Sequence, residues 1–396
     1  MKITPSSKIQ SLMLAAALTI GLCFVSPASA QYVPLYSYIL DINSKTLTDL
    51  GTLGGDSNSA SDINDAGQVV GDSRTAAGDW QAFITGPNGV GKTLLGGPLL
   101  AGNYLYTAAI NDAGQVVGAS IPTAGDRHAF ITGPNGVGVI DLGTLGGVYI
   151  ASSASGINNA GQVVGDSSPA PAPGSGASHA FITGPNGVGM TDLGTLGGDY
   201  SVATDINDAG QVVGYSTTAA GNRHAFITGP NGQGMTDLGT LGGDGVGYGS
   251  AAKGVNDAGQ VVGYSWTAAG ALHAFVTGPN GIGMTDLGMT LGEGTSQAFD
   301  INDAGQVVGR FNTAAGYEHA FITGPNGVGM TDLNSLVDLP AGIVLVAAVD
   351  INNVGQIIAL ATTIPPIPEP QSYALMLAGL GLIGFVAWRQ KSGSRV

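Results

Sequence analysis

The feature that most restricts what this chain can fold into is a repeat that begins and ends in the middle of its own unit. Asn-Asp/Asn-x-Gly-Gln recurs at Asn64, Asn111, Asn158, Asn207, Asn256, Asn302 and Asn352, in steps of 46 to 50 residues. A period in the forties with several short strands per copy marks a β-propeller blade. The copy from Ser201 to Gly243 reads as four strands, Ser201–Ile206, Gln211–Tyr215, His224–Thr228 and Met235–Leu238. Asn207-Asp208-Ala209-Gly210 turns the first pair, because Asn and Asp bond their own backbone and Gly supplies positive φ. Gly229-Pro230-Asn231-Gly232 turns the last pair, and the Gly-Thr-Leu-Gly-Gly segment at Gly239–Gly243 crosses to the next unit.

The array opens with Tyr36–Leu40 and Leu47–Leu50, a third and fourth strand with no first or second. It closes with Val346–Ile351 and Gln356–Leu360, a first and second with no third or fourth. An open solenoid needs polar caps rather than half-units. A ring does split a unit, because joining the two halves removes its free edges. The expected fold is all-β: a propeller of seven four-stranded blades over residues 31–360, the last blade closed by N- and C-terminal strands. The copy around Lys92–Leu105 is the most degenerate, which leaves six or eight blades as alternatives.

Composition supports a packed ring over a disordered chain. The 67 glycines recur periodically between Val, Ile and Phe runs. Residues 31–370 hold 7 basic residues against all 27 acidic ones. That surface repels phosphate backbones, which excludes nucleic acid as a partner, and it attracts Ca²⁺. The single cysteine, Cys23, lies in the N-terminal apolar run, so no disulfide forms within the chain.

Both ends read as addresses. Residues 1–30 carry Lys2 and Lys8, the apolar run Leu12–Val25, and small Ala28-Ser29-Ala30 before Gln31, the pattern of a cleaved signal peptide. An uncleaved anchor is the alternative; a lipoprotein site at Cys23 is disfavoured by bulky Leu22. At the other end, a Pro-rich linker at 361–370 carries Pro368-Glu369-Pro370. Tyr373–Trp388 follows as one short hydrophobic helix, then a tail with Arg389, Lys391 and Arg395. Sixteen helical residues span roughly 24 Å, short for a bilayer core of about 30 Å. The basic end stays cytoplasmic.

This order of Pro-Glu-Pro, short helix and basic tail over 361–396 closely resembles the PEP-CTERM sorting signal. The resemblance implies handling by the secretion machinery and an exosortase. It also implies transient anchoring in the inner membrane of a Gram-negative cell through residues 371–396, cleavage near Pro368–Pro370, and release or attachment at the surface. The third strand resembles the bacterial extracellular repeats named for His-Ala-Phe, the HAF family, with intact triplets at His128, His179, His224, His273 and His319 and Gln81-Ala82-Phe83 in one copy. That resemblance implies an extracellular protein and brings no established activity with it.

No catalytic constellation is visible. The five histidines are equivalent copies, expected as hydrogen-bonded latches between blades, whereas catalysis usually rests on one asymmetric cluster. Asp-Ile-Asn-Asp-Ala-Gly is the weak Ca²⁺ candidate, through Asp62, Asn64, Asp65, Asp205, Asn207, Asp208, Asp300, Asn302 and Asp303. It departs from a calcium loop in the spacing of its acids and in lacking a downstream bidentate Glu, so a capped turn is the simpler expectation. Asp in the Thr-Asp-Leu strand (Asp49, Asp192, Asp237, Asp286, Asp332, with Asp141 equivalent) is expected to hold backbone amides or the neighbouring His. Trp80, Trp266, Phe311 and Tyr317, in or beside the variable loops, are candidates for stacking on sugar rings. The expected function is a non-catalytic interaction module with exopolysaccharide as its candidate partner. The alternatives are a propeller-scaffold enzyme acting on polysaccharide and a self-associating coat protein.

Overall fold

Six of the seven blades are organised by Val-Val-Gly on the second strand and Phe on the third; the closing blade has Ile357-Ile358-Ala359 and Tyr38 in those places. In the blade built from residues 104–141, for example, Val116 joins a core that holds Val70, Ile84 and Leu95 of the blade before, while Val117 joins one with Ile157 and Phe181 of the blade after. Alternation along a strand sends successive side chains to opposite faces, and in a ring both faces of each sheet meet a neighbour. Seven such clusters lie between successive blades. The six repeat phenylalanines (Phe83, Phe130, Phe181, Phe226, Phe275, Phe321) are almost fully buried. The glycine of the motif is a steric requirement: a Cβ on Gly214 would lie 2.0 Å from the Val202 carbonyl oxygen.

The computed structural model describes residues 35–95, 104–121, 126–146, 151–169, 177–245, 247–288 and 294–363, with 379–380, 382–385 and 388 beyond them. The chain opens with β1 (Tyr36–Asp41) and β2 (Thr46–Asp49). Blade 1 is β3 (Gly54–Ile63), β4 (Val69–Thr75), β5 (Trp80–Thr85) and β6 (Lys92–Leu94). Blade 2 is β7 (Tyr104–Ile110), β8 (Val116–Ile121), β9 (His128–Ile131) and β10 (Ile140–Asp141). Blade 3 is β11 (Ser152–Ile157), β12 (Val163–Ser167), β13 (His179–Thr183) and β14 (Met190–Asp192). Blade 4 is β15 (Gly197–Ile206), β16 (Val212–Thr218), β17 (Arg223–Thr228) and β18 (Met235–Gly239). Blade 5 is β19 (Ser250–Val255), β20 (Val261–Trp266), β21 (Leu272–Thr277) and β22 (Met284–Asp286). Blade 6 is β23 (Ser296–Ile301), β24 (Val307–Asn312), β25 (Glu318–Thr323) and β26 (Met330–Asp332). The chain's last two strands are β27 (Ile343–Ile351) and β28 (Gln356–Thr363).

These last strands pair with the first two. The seventh sheet runs β2-β1-β28-β27, and β1 lies antiparallel to β28 from Tyr36↔Ala361 to Asp41↔Gln356. The ring therefore closes as a seven-bladed propeller, and the degenerate copy is an ordinary blade. Ile39, Leu50 and Ile358 of the closing blade pack with Ile63, Val69 and Phe83 of blade 1, so the seam has the same apolar cement as the other joints. Among the described residues no helix is long and apolar enough to cross a membrane. Of the hydrophobic helix expected after residue 371, the described part is a short helical stretch between 379 and 388.

Candidate functional site at the axial mouth

The seven Asn-Asp/Asn turns meet on one face of the ring around a depression of about 180 Å³. Each Asn first builds its own turn: Asn207 Oδ1 accepts the Gln211 N–H at 2.9 Å, and its Nδ2 donates to Gln211 Oε1 at 2.9 Å. The same Nδ2 also donates to the main-chain carbonyl of the next blade's Asn, Asn207 to Asn256 at 3.0 Å. The bond repeats through Asn64, Asn111, Asn158, Asn256 and Asn302, and Asn352 returns it to Asn64 at 2.9 Å. A closed circle of seven amide bonds results. Six of the seven glutamines also donate Nε2 to the Asn of a Pro-Asn-Gly turn in the next blade (Gln211 to Asn280 at 3.2 Å). Those asparagines sit at φ 54–57°, the left-handed region that Asn tolerates.

The next residue forms a second circle at the rim. The backbone N–H of each rim residue donates to a side-chain oxygen of the following one, through Asp65, Asp112, Asn159, Asp208, Asp257, Asp303, Asn353 and back to Asp65. Asn159 and Asn353 divide five carboxylates into a pair and a run of three. Asn159 Nδ2 donates to both Asp112 and Asp208, relieving repulsion there. Asp257, in the middle of the run of three, has no such amide beside it. Burial raises its carboxyl above the ordinary range, and the charges of Asp303 and Asp208 add to that.

Two residues back along the innermost strands, Asp62, Asp205, Asp300 and Asp350 form a third layer. Each accepts the amide of the next blade: Ile110, Val255, Ile351 and Ile63 respectively, at 2.6 to 3.1 Å. Asp350 lies between Asp62 and Asp300, and after burial the charges of these two neighbours are what raise its carboxyl. Burial pushes Asp205 up to about 8, with the Asp300 charge adding to it, and burial likewise raises Asp62 and Asp350. Asp350 went unrecognised in the sequence because its copy reads Asp-Ile-Asn-Asn. The Ca²⁺ candidates thus disperse. Asp62, Asn64 and Asp65, and their counterparts Asp205, Asn207, Asp208 and Asp300, Asn302, Asp303, enter three different layers. Among the described residues no three His, Cys, Asp or Glu side chains form a group suited to a metal ion.

The histidines correct an expectation. His128, His179, His224, His273 and His319 do not bridge blades; each Nδ1 lies 2.7–2.8 Å from the Asp on the fourth strand of its own blade. Those carboxylates also accept the amide two residues on, as Asp192 does from Gly194 at 2.7 Å. The latch between blades belongs instead to a serine the sequence did not single out. Ser201 Oγ accepts the Ala180 amide of blade 3 and donates to Gly194 O, with Ser152, Ser250 and Ser296 placed likewise on the blades before them. Among the described residues only His224 has a second acid, Asp244, 3.0 Å from its Nε2. Burial lowers the His224 pKa, but its bonds to Asp237 and Asp244 outweigh that and hold it above the ordinary value.

The aromatic candidates separate. Phe311 is buried in β24, not displayed on a loop, whereas Tyr317 is 70% exposed. Trp80 and Trp266 are half-buried at strand ends, and Trp266 packs edge-on against Tyr248. The processing residues Ala28, Ala30, Gln31, Pro368, Glu369, Pro370 and Arg389 lie outside the described residues.

The ring is similar to solved propellers at low identity. The β-propeller domain of the Trilobed protease from Pyrococcus furiosus is 11% identical, with a TM-score of 0.53 over 75% of this chain and 86% of that one. That domain is described as having an open velcro topology, whereas here β1 and β28 close the seam. A putative TolB from Agrobacterium tumefaciens is 10% identical, with a TM-score of 0.48 over 84% of this chain and 99% of that one. The likeness is one of fold. No curated protein matches the chain. Residues 366–392 match the PEP-CTERM protein-sorting motif, and this match indicates a propeller exported by exosortase sorting and processed at the membrane.

Proposed function

We propose that the exported ring is a non-catalytic interaction module at the cell surface or in the extracellular matrix, where it contacts extracellular polysaccharide. One observation carries this reading: the polar residues that recur from blade to blade are spent on the ring's own hydrogen bonds. The asparagines, rim acids, serines and His–Asp pairs are all engaged in that way. Recognition then falls to residues that differ from blade to blade, in the multivalent manner that suits a repeating polymer. The resemblance of the His-Ala-Phe copies to HAF extracellular repeats agrees with this setting.

The test is co-sedimentation of the full-length chain, in detergent, with polysaccharide released by the producing cells. Saturable retention supports the reading. No retention, together with concentration-dependent self-association, replaces it with a coat protein.

A hydrolase acting on polysaccharide is the second reading, and the buried, electrostatically coupled acids Asp62 and Asp350 are the feature that favours it. Against it, both carboxylates already accept backbone amides of neighbouring blades. Reducing ends released by the wild-type chain and not by Asp62→Asn would establish the enzyme.

A further inference from the structure

Two half-buried cations that, among the described residues, pair with neither an acid nor a carbonyl stand out in a chain where acids outnumber bases more than twofold. Arg74 pairs with Asp56 at 3.3 Å and Arg310 with Glu318 at 3.0 Å, while Lys92 donates to the Gly51 carbonyl at 2.8 Å. Arg223 and Lys253 are both half-buried, and among the described residues neither forms an ion pair. They sit together. The Arg223 guanidinium is 5.2 Å from the Tyr215 ring and 5.8 Å from the Tyr264 ring, and Lys253 Nζ is 5.9 Å from the same Tyr264 ring. Three acids of blades 3 and 4 and the segment after them are already occupied: Asp237 and Asp244 hold His224, the residue next to Arg223, and Asp166 accepts from Ser178 Oγ at 2.7 Å. Burial and the Arg223 charge both lower the Lys253 pKa, so the two like charges are held together at a cost.

The surroundings are aromatic and accessible. Tyr200 lies 6.2 Å from Tyr215, and Tyr248 lies 4.8 Å from Trp266 between ring centroids. Tyr200 and Tyr248 are exposed, and Tyr215, Tyr264 and Trp266 are half-buried. Gly249 pairs with Arg223 so closely that a Cβ there would lie 2.0 Å from the Arg223 carbonyl oxygen, which fixes the neighbouring Tyr248 beside the arginine. The cluster breaks the sevenfold repeat. Where blades 4 and 5 carry Tyr215 and Tyr264, other blades carry Asp72, Ala119, Asp166 and Arg310; where blade 5 carries Lys253, blade 4 has Thr204 and blade 1 has Ser61.

From this juxtaposition we infer that blades 4 and 5 form a binding cleft for an acidic sugar, a hexuronate unit of a polysaccharide. Arg223 offers a planar fork that matches a carboxylate, Lys253 adds a second positive charge, and the tyrosine and tryptophan rings receive the sugar face. The inference deepens the polysaccharide reading and rests on it for its biological setting.

Isothermal titration of the full-length chain in detergent tests it, with hexagalacturonate, a neutral galactose hexamer and hexaglutamate as the three titrants. Hexagalacturonate should bind saturably, at least tenfold more tightly than the neutral hexamer. Arg223→Gln should weaken it at least tenfold, with Arg223→Lys intermediate. Tyr248→Ala, a change at an exposed residue that the ring does not need in order to fold, should weaken it at least threefold. The cleft is refuted by no saturable heat with hexagalacturonate, or by affinity unchanged in both Arg223→Gln and Tyr248→Ala. Equal affinity for hexaglutamate refutes the sugar assignment. If hexagalacturonate fails while native polysaccharide still co-sediments, the cleft falls and the interaction module stands. Binding of hexagalacturonate without co-sedimentation supports the cleft and removes the matrix role.

Discussion

Replacing Asn207 with alanine breaks the amide circle at a joint where the bond is short, 3.0 Å. The side chain is 4% exposed and takes part in three hydrogen bonds, to the Gln211 amide, Gln211 Oε1 and the Asn256 carbonyl, at 2.9 to 3.0 Å. Alanine leaves the Gln211 N–H without a partner, removes one of the two donors to the Asn256 C=O (the other is the Gly259 amide at 2.9 Å), and frees Gln211 from the position in which it holds Asn280. At roughly 1 kcal/mol for each buried bond, the loss is about 3 kcal/mol. The ring spans about 330 residues, for which the unfolding entropy is about 0.7 kcal/mol/K, so Tm should fall by about 4–5 °C. Asn302→Ala is the internal comparison. Its bond to the Asn352 carbonyl is stretched to 3.4 Å, so its removal should cost less, about 2 kcal/mol or about 3 °C. Thermal unfolding followed by circular dichroism measures both. A drop under 1 °C for Asn207→Ala, or an equal or larger one for Asn302→Ala, refutes the view that the circle holds the blades together.

Two further outcomes follow from buried acids. A carboxyl whose pKa is higher folded than unfolded binds its proton more tightly in the native state, so its contribution falls as pH rises. With Asp205 pushed up to about 8, stability should drop by about 3 kcal/mol, or about 5 °C in Tm, between pH 5.5 and 8.5. Asp62, Asp350 and His224 act in the same direction. Calorimetry that finds Tm level or rising over that range contradicts this, and Asp205→Ala should flatten the slope. Asp72 is 7% exposed, its Oδ1 has no hydrogen-bond partner, and burial raises its pKa to about 7. Asp72→Ala, which copies Ala119 of blade 2, should stabilise the ring by about 2–4 kcal/mol at pH 8.5 and by much less at pH 5. Chemical denaturation at the two pH values decides it.

The fold was legible because a strand period, a turn motif and a split unit are all one-dimensional features. Strand ends shifted slightly, as where β15 begins at Gly197 within a segment read as a crossing. The site was less legible because a side chain's layer depends on a bulge. In blade 4 the register slips between Ala203 and Asp205, which sends Asp205 to the next blade's amide while Asn207 and Asp208 enter other circles. A contiguous Asp-Ile-Asn-Asp string therefore resembles one metal loop and becomes three separate structural elements. His224 and Asp237 stand 13 residues apart on paired strands, so their bond within one blade follows only from the register Phe226↔Asp237. Arg223, Lys253 and Tyr264 were passed over because their significance lies in departing from the repeat, and the eye that finds a repeat discounts its exceptions.

The seam between β1 and β28 has a consequence for how the protein is made. The first strands to be exported are the last to be satisfied, since their partner ends at Thr363, just ahead of the sorting motif that begins at residue 366. No partly translocated or prematurely truncated chain can complete the circle; such a chain keeps an open β edge that invites aggregation or degradation. Arrival of the sorting segment and completion of the fold are therefore coupled, and only a chain exported to its end gives sorting a finished ring.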